Sequence, residues 1–179
     1  CQKYSAVVAK VIRIRTISPA LAASGVKIVE LLRNPKAVVL SRLHTDGFDP
    51  GKSPGAIASE VCGAMASTYR QVREVVDPSR YCSVRLEDVA LTPDDTMAML
   101  YRCLGFGLPP PQTGAWISGN MLEDGAEARN NSRYAETRNA TEVALHWAER
   151  WTDLTANTKQ EIDDACGGAV AMLGYSAGW

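Results

Sequence analysis

The chain of 179 residues is 46% hydrophobic and 22% charged, with a formal net charge of −1; this is the composition of one globular domain with a core, and too little for two comfortable ones. So small a charge gives no electrostatic case for nucleic acid or an anionic membrane surface, and no apolar run approaches the roughly 20 residues of a membrane-crossing helix. Five cysteines without CxxC or Cys/His spacing, beside two histidines, argue against a metal site.

The chain opens on Cys1 with none of the layout of a secretory signal and enters a strand-like segment within a few residues, so it is expected to be an excerpt of a longer protein. Val7 to Ile14, "VVAKVIRI", is β-branched and apolar and reads as a strand; Val26 to Leu32 reads as a second. Asn34 suits an N-cap and Pro35 the first helical position, which predicts a helix to about Leu43. "HTDGFDPGKSPG" is a loop. Ile57, Val61, Met65, Val72 and Val76 recur with helical period, and Asp77-Pro78-Ser79 ends that helix before a third strand candidate, "RYCSVRL".

Thr92-Pro93-Asp94-Asp95 is a helix start, with an N-cap, a proline at N1 and acids in the first turn. The helix should turn Met97, Leu100, Tyr101 and Leu104 inward and stop at Gly105, before a proline-rich turn. Residues 117 to 140 are polar and glycine-rich, a long surface loop. Two closing helices follow, about Thr141 to Trp151 and Thr155 to Leu173, the second stopped by Gly174. Strands that alternate with helices predict an α/β domain built on a parallel sheet with helices on its flanks.

Between the second strand and its helix lies a constellation with chemistry in it. A helix N-terminus offers unpaired N–H groups and the positive end of a dipole, which favour an anion. Arg33, at the carboxyl end of a parallel strand where open α/β sheets bind ligands, adds a planar fork that fits a phosphate, and Ser41 adds a hydroxyl from the helix. The simpler reading is routine punctuation, with an arginine that is solvated or ion-paired. Glu87 and Asp88 invite a reading as a catalytic pair, but neighbours on a strand face opposite sides, so they read as structural, partnering Arg85 or another basic group. Trp147 and Trp151 read as a core seam, His146 as part of the same helix, and His44 as an exposed loop histidine or one facing an acceptor.

The segment "VKIVELLRNPKAVVLSRL" resembles the 3′-phosphate-binding segment of carbohydrate sulfotransferases, a strand followed by Leu-Val-Arg-Asp-Pro-Arg-Ala and then Ser-Arg. Arg33, Pro35, Ala37, Ser41 and Arg42 match, while Asn34 and Lys36 depart conservatively. Further segments follow in the family's order. "YCSVRLEDVALTPDDTMAMLYRCLGF" is similar to its Val-Arg-Tyr-Glu-Asp-Leu and Leu-Tyr-x-Phe-Leu-Gly stretch, "ETRNATEVALHW" to its Arg-Asn-Ala-Thr to Trp stretch, and "IDDACGGAVAMLGY" to its closing Cys to Leu-Gly-Tyr. "KVIRIR" resembles its Lys-x-x-Arg strand. The likeness spans nearly the whole chain and is strongest to the Golgi enzymes that sulfate the 6-hydroxyl of N-acetylglucosamine, galactose or N-acetylgalactosamine, in glycans such as keratan sulfate.

The resemblance implies the P-loop-NTPase-like sulfotransferase fold, incomplete at the N-terminus, with residues 1–179 as the C-terminal portion of a single domain. It implies 3′-phosphoadenosine 5′-phosphosulfate (PAPS) as co-substrate, a glycan acceptor and no metal. Arg33 and Ser41 would hold the donor's 3′-phosphate, and Arg138 and Asn139 lie in a stretch that would close over the nucleotide. Asn139, like Asn130, also heads a glycosylation sequon, and a glycan there would point it to solvent. The family's Gly/Ser-rich loop with a basic residue, which cradles the 5′-phosphosulfate, has no counterpart here; "SPALAASG" lacks the arginine, the preceding strand and the Gly-Ser-Ser run. The general base is likewise expected upstream of Cys1. A lumenal Golgi address, as a type II membrane protein anchored outside these residues, would be oxidising and allow at least one disulfide among Cys1, Cys62, Cys82, Cys103 and Cys166. The alternative is a degenerate, non-catalytic domain of the same family that binds glycan or nucleotide.

Overall fold

A computed structural model describes residues 17–44, 51–117 and 147–176. The strand expected over Val7 to Ile14 and the loop expected beyond residue 117 lie outside the described residues. Strands β1 (Ile28–Leu32) and β2 (Tyr81–Arg85) pair in parallel, Ile28 opposite Tyr81 and Leu32 opposite Arg85. Helices α2 (Pro35–Leu43) and α3 (Pro54–Val75) make the crossover between them, so the expected parallel sheet with flanking helices is what forms.

Local chemistry sets most helix ends. The Asn34 Oδ1 accepts the Lys36 N–H at 3.0 Å, with Pro35 at N1, as its position before the apolar run required. Ser53 and Pro54 do the same for α3, which therefore starts three residues before Ile57, its first apolar contact; a cap fixes a helix start and apolar spacing does not. A short helix α1 (Pro19–Ala23), capped by the Ser18 hydroxyl, precedes β1. Its carboxyl end is held by the Arg80 guanidinium, which donates to the carbonyls of Ala22 and Val26.

After β2 the chain turns at once into α4 (Leu86–Leu91), so Glu87 and Asp88 stand in a helix's first turn and not on a strand. Thr92 ends α4 and begins α5 (Pro93–Leu104). Its hydroxyl donates back to the Asp88 carbonyl at 3.2 Å and makes no N-cap bond. Of α5 only Thr96 is fully buried; the residues expected to point inward are half-buried, because α5 has β2 beneath it and little above. Gly105 stops α5 with φ +82°, as expected. Helix α6 (Pro111–Ile117) follows the proline-rich turn, residues 147–152 form α7, and α8 (Ala156–Met172) closes the described chain.

The main core lies between α3 and α8, where Ile57, Ala58, Val61 and Cys62 meet Ile162, Cys166, Ala169 and Val170, with Val39 of α2 beside them. Disulfide Cys62–Cys166 runs through it, and Cys82–Cys103 ties β2 to α5. The amino end of α3 is held across the same seam: the Gly55 N–H donates to the Glu161 carboxylate at 3.0 Å, an anion at the positive end of a helix. Trp147 packs on Ala37 and Leu40 and meets Trp151 edge to face at 6.5 Å, the core seam their spacing suggested. A smaller core joins Val72 and Val76 to Ile17, Ile28 and Tyr81. Val29 and Leu31, expected in a buried strand, are exposed, because α5 covers that face of the sheet over β2, where Cys82 and Val84 are buried.

Candidate functional site

Because Leu32 lies opposite Arg85, the corner Arg33-Asn34 sits beside the start of α4 at the carboxyl ends of both strands. Glu87 fills the gap. Its carboxylate is buried; Oε1 accepts the Asn34 N–H at 2.9 Å and Oε2 accepts the Tyr175 hydroxyl at 3.0 Å. Arg85 turns the other way and donates to the Leu173 and Gly174 carbonyls at 3.0 and 2.7 Å, its guanidinium lying 4.7 Å over the Tyr175 ring. Gly174 has φ +71°, a backbone conformation that favours glycine, and a Cβ there would stand 2.6 Å from the Arg85 Nη2 and displace it. The end of α8 is thereby clasped to the corner.

Electrostatics at the corner centre on Arg33. Burial lowers its proton affinity, the Glu87 carboxylate and Tyr175 raise it, and the positive charge of Arg150 on α7 lowers it again. A half-buried guanidinium with a second one in its field is an arrangement that an anion of more than one charge relieves.

Residues 8–146 match the sulfotransferase domain family. The chain belongs to that family. It is 31% identical to human (Homo sapiens) carbohydrate sulfotransferase 6 over 198 aligned positions, which cover 98% of the chain and 49% of the relative. Carbohydrate sulfotransferase 5 of Mus musculus is 30% identical over the same share of each. An omega-hydroxy-beta-dihydromenaquinone-9 sulfotransferase of Mycobacterium bovis is 27% identical over 69% of the chain and 34% of its own length. The chain thus spans about half the length of the carbohydrate sulfotransferases it matches. No solved structure matches it.

The unpaired amides expected at this sulfotransferase corner are mostly in use. The Asn34 N–H goes to Glu87, Pro35 has none, and the Lys36 N–H goes to the Asn34 side chain. Lys36 pairs with Asp163 of α8 and lies 5.0 Å from the Trp151 ring, so its charge is spent in the core. The corner offers an anion Arg33, the dipole of α2 and the Asn34 Nδ2, which is buried and without a protein acceptor among the described residues. Ser41 is exposed, two turns along α2 on the same face as Asn34. Arg138, Asn139 and Asn130 lie outside the described residues. So does His146, while His44 is the exposed C-cap of α2, its Nδ1 donating to the Leu40 carbonyl.

Sequence reasoning read Tyr175 only as the last residue of the closing family-like segment, with no role at the corner, and missed Arg150; both reach the corner through the folding back of α7 and α8. Nor did it find the partners of Glu87: the structure pairs its carboxylate with an amide and a phenol, and Arg85 with two carbonyls. Among the described residues no three His, Cys, Asp or Glu side chains gather to hold a metal, and no helix is long and apolar enough to cross a membrane. A cavity of about 300 Å³ lies apart, along β2 between Val76, Tyr81, Met99 and Cys103, with Arg73 and Ser83 also in its wall.

One pH dependence follows from this packing. Burial, reinforced by Glu87, pushes the Tyr175 phenol far above its ordinary value, and burial with Glu30 does the same for Tyr81. The unfolded chain gives up these protons near pH 10 while the folded one keeps them, so both residues should withdraw stability as pH rises past about 10. Urea melts between roughly pH 9 and 11 should show a shallower fall in Tyr175→Phe and Tyr81→Phe than in the wild type.

Proposed function

We propose that this chain carries the 3′-phosphate half of a PAPS site, within an enzyme that transfers sulfate from PAPS to a sugar hydroxyl, the 6-hydroxyl, of a glycan. The observation that carries the reading is Arg33, half-buried at the carboxyl end of a parallel strand and the start of α2, with the donor Asn34 Nδ2 beside it. A 3′-phosphate is dianionic, and a guanidinium fork at the positive end of a helix suits it. Ser41 lies on the Asn34 face of α2, so Arg33 extended along the helix and the Ser41 hydroxyl can share one phosphate. Arg138 and Asn139 complete the nucleotide's enclosure in this reading, which leaves Asn130 as the sequon with no competing role.

The proposed compartment is the Golgi lumen, with the membrane anchor outside these residues. Two disulfides in one domain fit an oxidising compartment. Residues 1–179 are then the C-terminal portion of a single sulfotransferase domain, with nucleotide donor and glycan acceptor as its partners and no need of a metal. A second reading is a non-catalytic domain that binds nucleotide or glycan, since a corner built from Arg33 and the Asn34 Nδ2 would hold an anion whether or not sulfate is transferred.

Calorimetric titration with PAP, the desulfated nucleotide, tests the corner. Arg33→Ala should cost about 2 kcal/mol or more, roughly thirtyfold in affinity, and Arg33→Lys should recover only part of it, since an ammonium cannot form the fork. Unchanged affinity in a folded Arg33→Ala protein would remove the central claim.

A further inference from the structure

We infer that Glu87 is a positioning residue for nucleotide binding, acting through Asn34 and clamped by Tyr175; the inference rests on the phosphate reading of the Arg33 corner. At first sight Glu87 is in the wrong place, a buried carboxylate beside the cation that should meet a phosphate. Its hydrogen bonds explain it. A buried carboxylate has to have its oxygens satisfied, and here the two go to segments far apart in sequence, the Asn34 N–H and the Tyr175 hydroxyl.

Holding the Asn34 N–H fixes the peptide that joins Arg33 to Asn34, and so the direction in which the Arg33 side chain leaves the backbone. The same Asn34 caps α2 through Oδ1, which leaves Nδ2 as a buried donor with no protein acceptor among the described residues. With the peptide locked on one side and the carboxamide on the other, Arg33 and the Asn34 Nδ2 are two donors of fixed geometry on consecutive residues. An anion meets them without first ordering them, and the ordering of rotamer-rich side chains is a main cost of binding. The Glu87 charge also sustains the proton on Arg33 against burial. Tyr175 keeps the carboxylate from swinging, and the clasp of Arg85 on Leu173 and Gly174 keeps Tyr175 in place.

A merely structural Glu87 would affect stability and leave the affinity of the folded protein alone, so the two roles separate. In Glu87→Gln the amide oxygen can still accept the Asn34 N–H, but the bond to Tyr175 has to reverse, with the amide nitrogen donating to the phenol oxygen, and the charge is gone. PAP affinity, titrated by calorimetry on the folded protein beside Arg33→Ala, should fall about tenfold. Tyr175→Phe, which leaves the Asn34 bond intact, should lower it about threefold and carries the test if Glu87→Gln does not fold. The amide proton of Asn34, bonded to a carboxylate, should resonate downfield in proton–nitrogen NMR spectra and move upfield in Glu87→Gln. Wild-type PAP affinity in either variant, with Arg33→Ala weakened, overturns the role of Glu87 and leaves the phosphate reading standing. Unchanged affinity in Arg33→Ala overturns the reading, and this inference with it.

Discussion

Given radiolabelled PAPS and a panel of galactose- and hexosamine-containing acceptors, the 179-residue chain should transfer no sulfate above background. Sulfuryl transfer needs in-line geometry, positive charge on the leaving 5′-phosphate and a base for the sugar hydroxyl. In the proposed reading the corner at Arg33 meets the opposite end of the nucleotide. The run of small residues from Ser18 to Gly25 is engaged in structure. Ser18 caps α1, and the carbonyls of Leu21 and Ala22 at its end accept from Ser24 and Arg80. No arginine stands in it. Losing one preorganised donor to developing charge commonly costs a factor of roughly a hundred to a thousand, and here several are wanting. The same protein should still bind PAP weakly, and lose that binding in Arg33→Ala. Turnover above background would place catalytic groups within these residues and call for a search beyond the corner.

Removing the disulfide Cys62–Cys166 should have the largest effect on stability. The bond closes a sequence separation of 104 residues and sits inside the α3–α8 core, with both cysteines buried. Cross-linking so long a loop restricts the unfolded chain severely, which corresponds to about 4.7 kcal/mol on the chain-entropy account. For a protein of this size that is roughly 12 °C in melting temperature. The comparison with Cys82–Cys103 sharpens the test, since that bond closes only 21 residues. By loop length alone, Cys62→Ala with Cys166→Ala should cost roughly 1.4 kcal/mol more than Cys82→Ala with Cys103→Ala. Denaturant melts of the two double variants measure the order. If the short bridge proves the more important, packing around β2 and α5, and not chain entropy, governs the stability these bonds confer.

The sequence by itself determined the features whose partners lie within a few residues. Asn34-Pro35 begins α2, Gly105 and Gly174 end α5 and α8, and the alternation of strands and helices implied a parallel sheet, because caps, left-handed glycines and crossovers are local chemistry. It also determined the family, since several separated motifs in one order carry far more information than any single one. The tertiary structure decided what the corner is made of. Which cysteines pair, that Lys36 spends its charge on Asp163, that the Asn34 amide belongs to Glu87, and that Tyr175 completes the clamp all depend on residues brought together from about 20 to 130 positions apart. Glu87 shows the difference most plainly. The sequence allows it a strand or a helix, an ion pair or an amide, because each is locally sound. Only the closing of α8 onto the ends of β1 and β2 removes water from that carboxylate, and a carboxylate without water has to take whichever donors the fold has placed beside it.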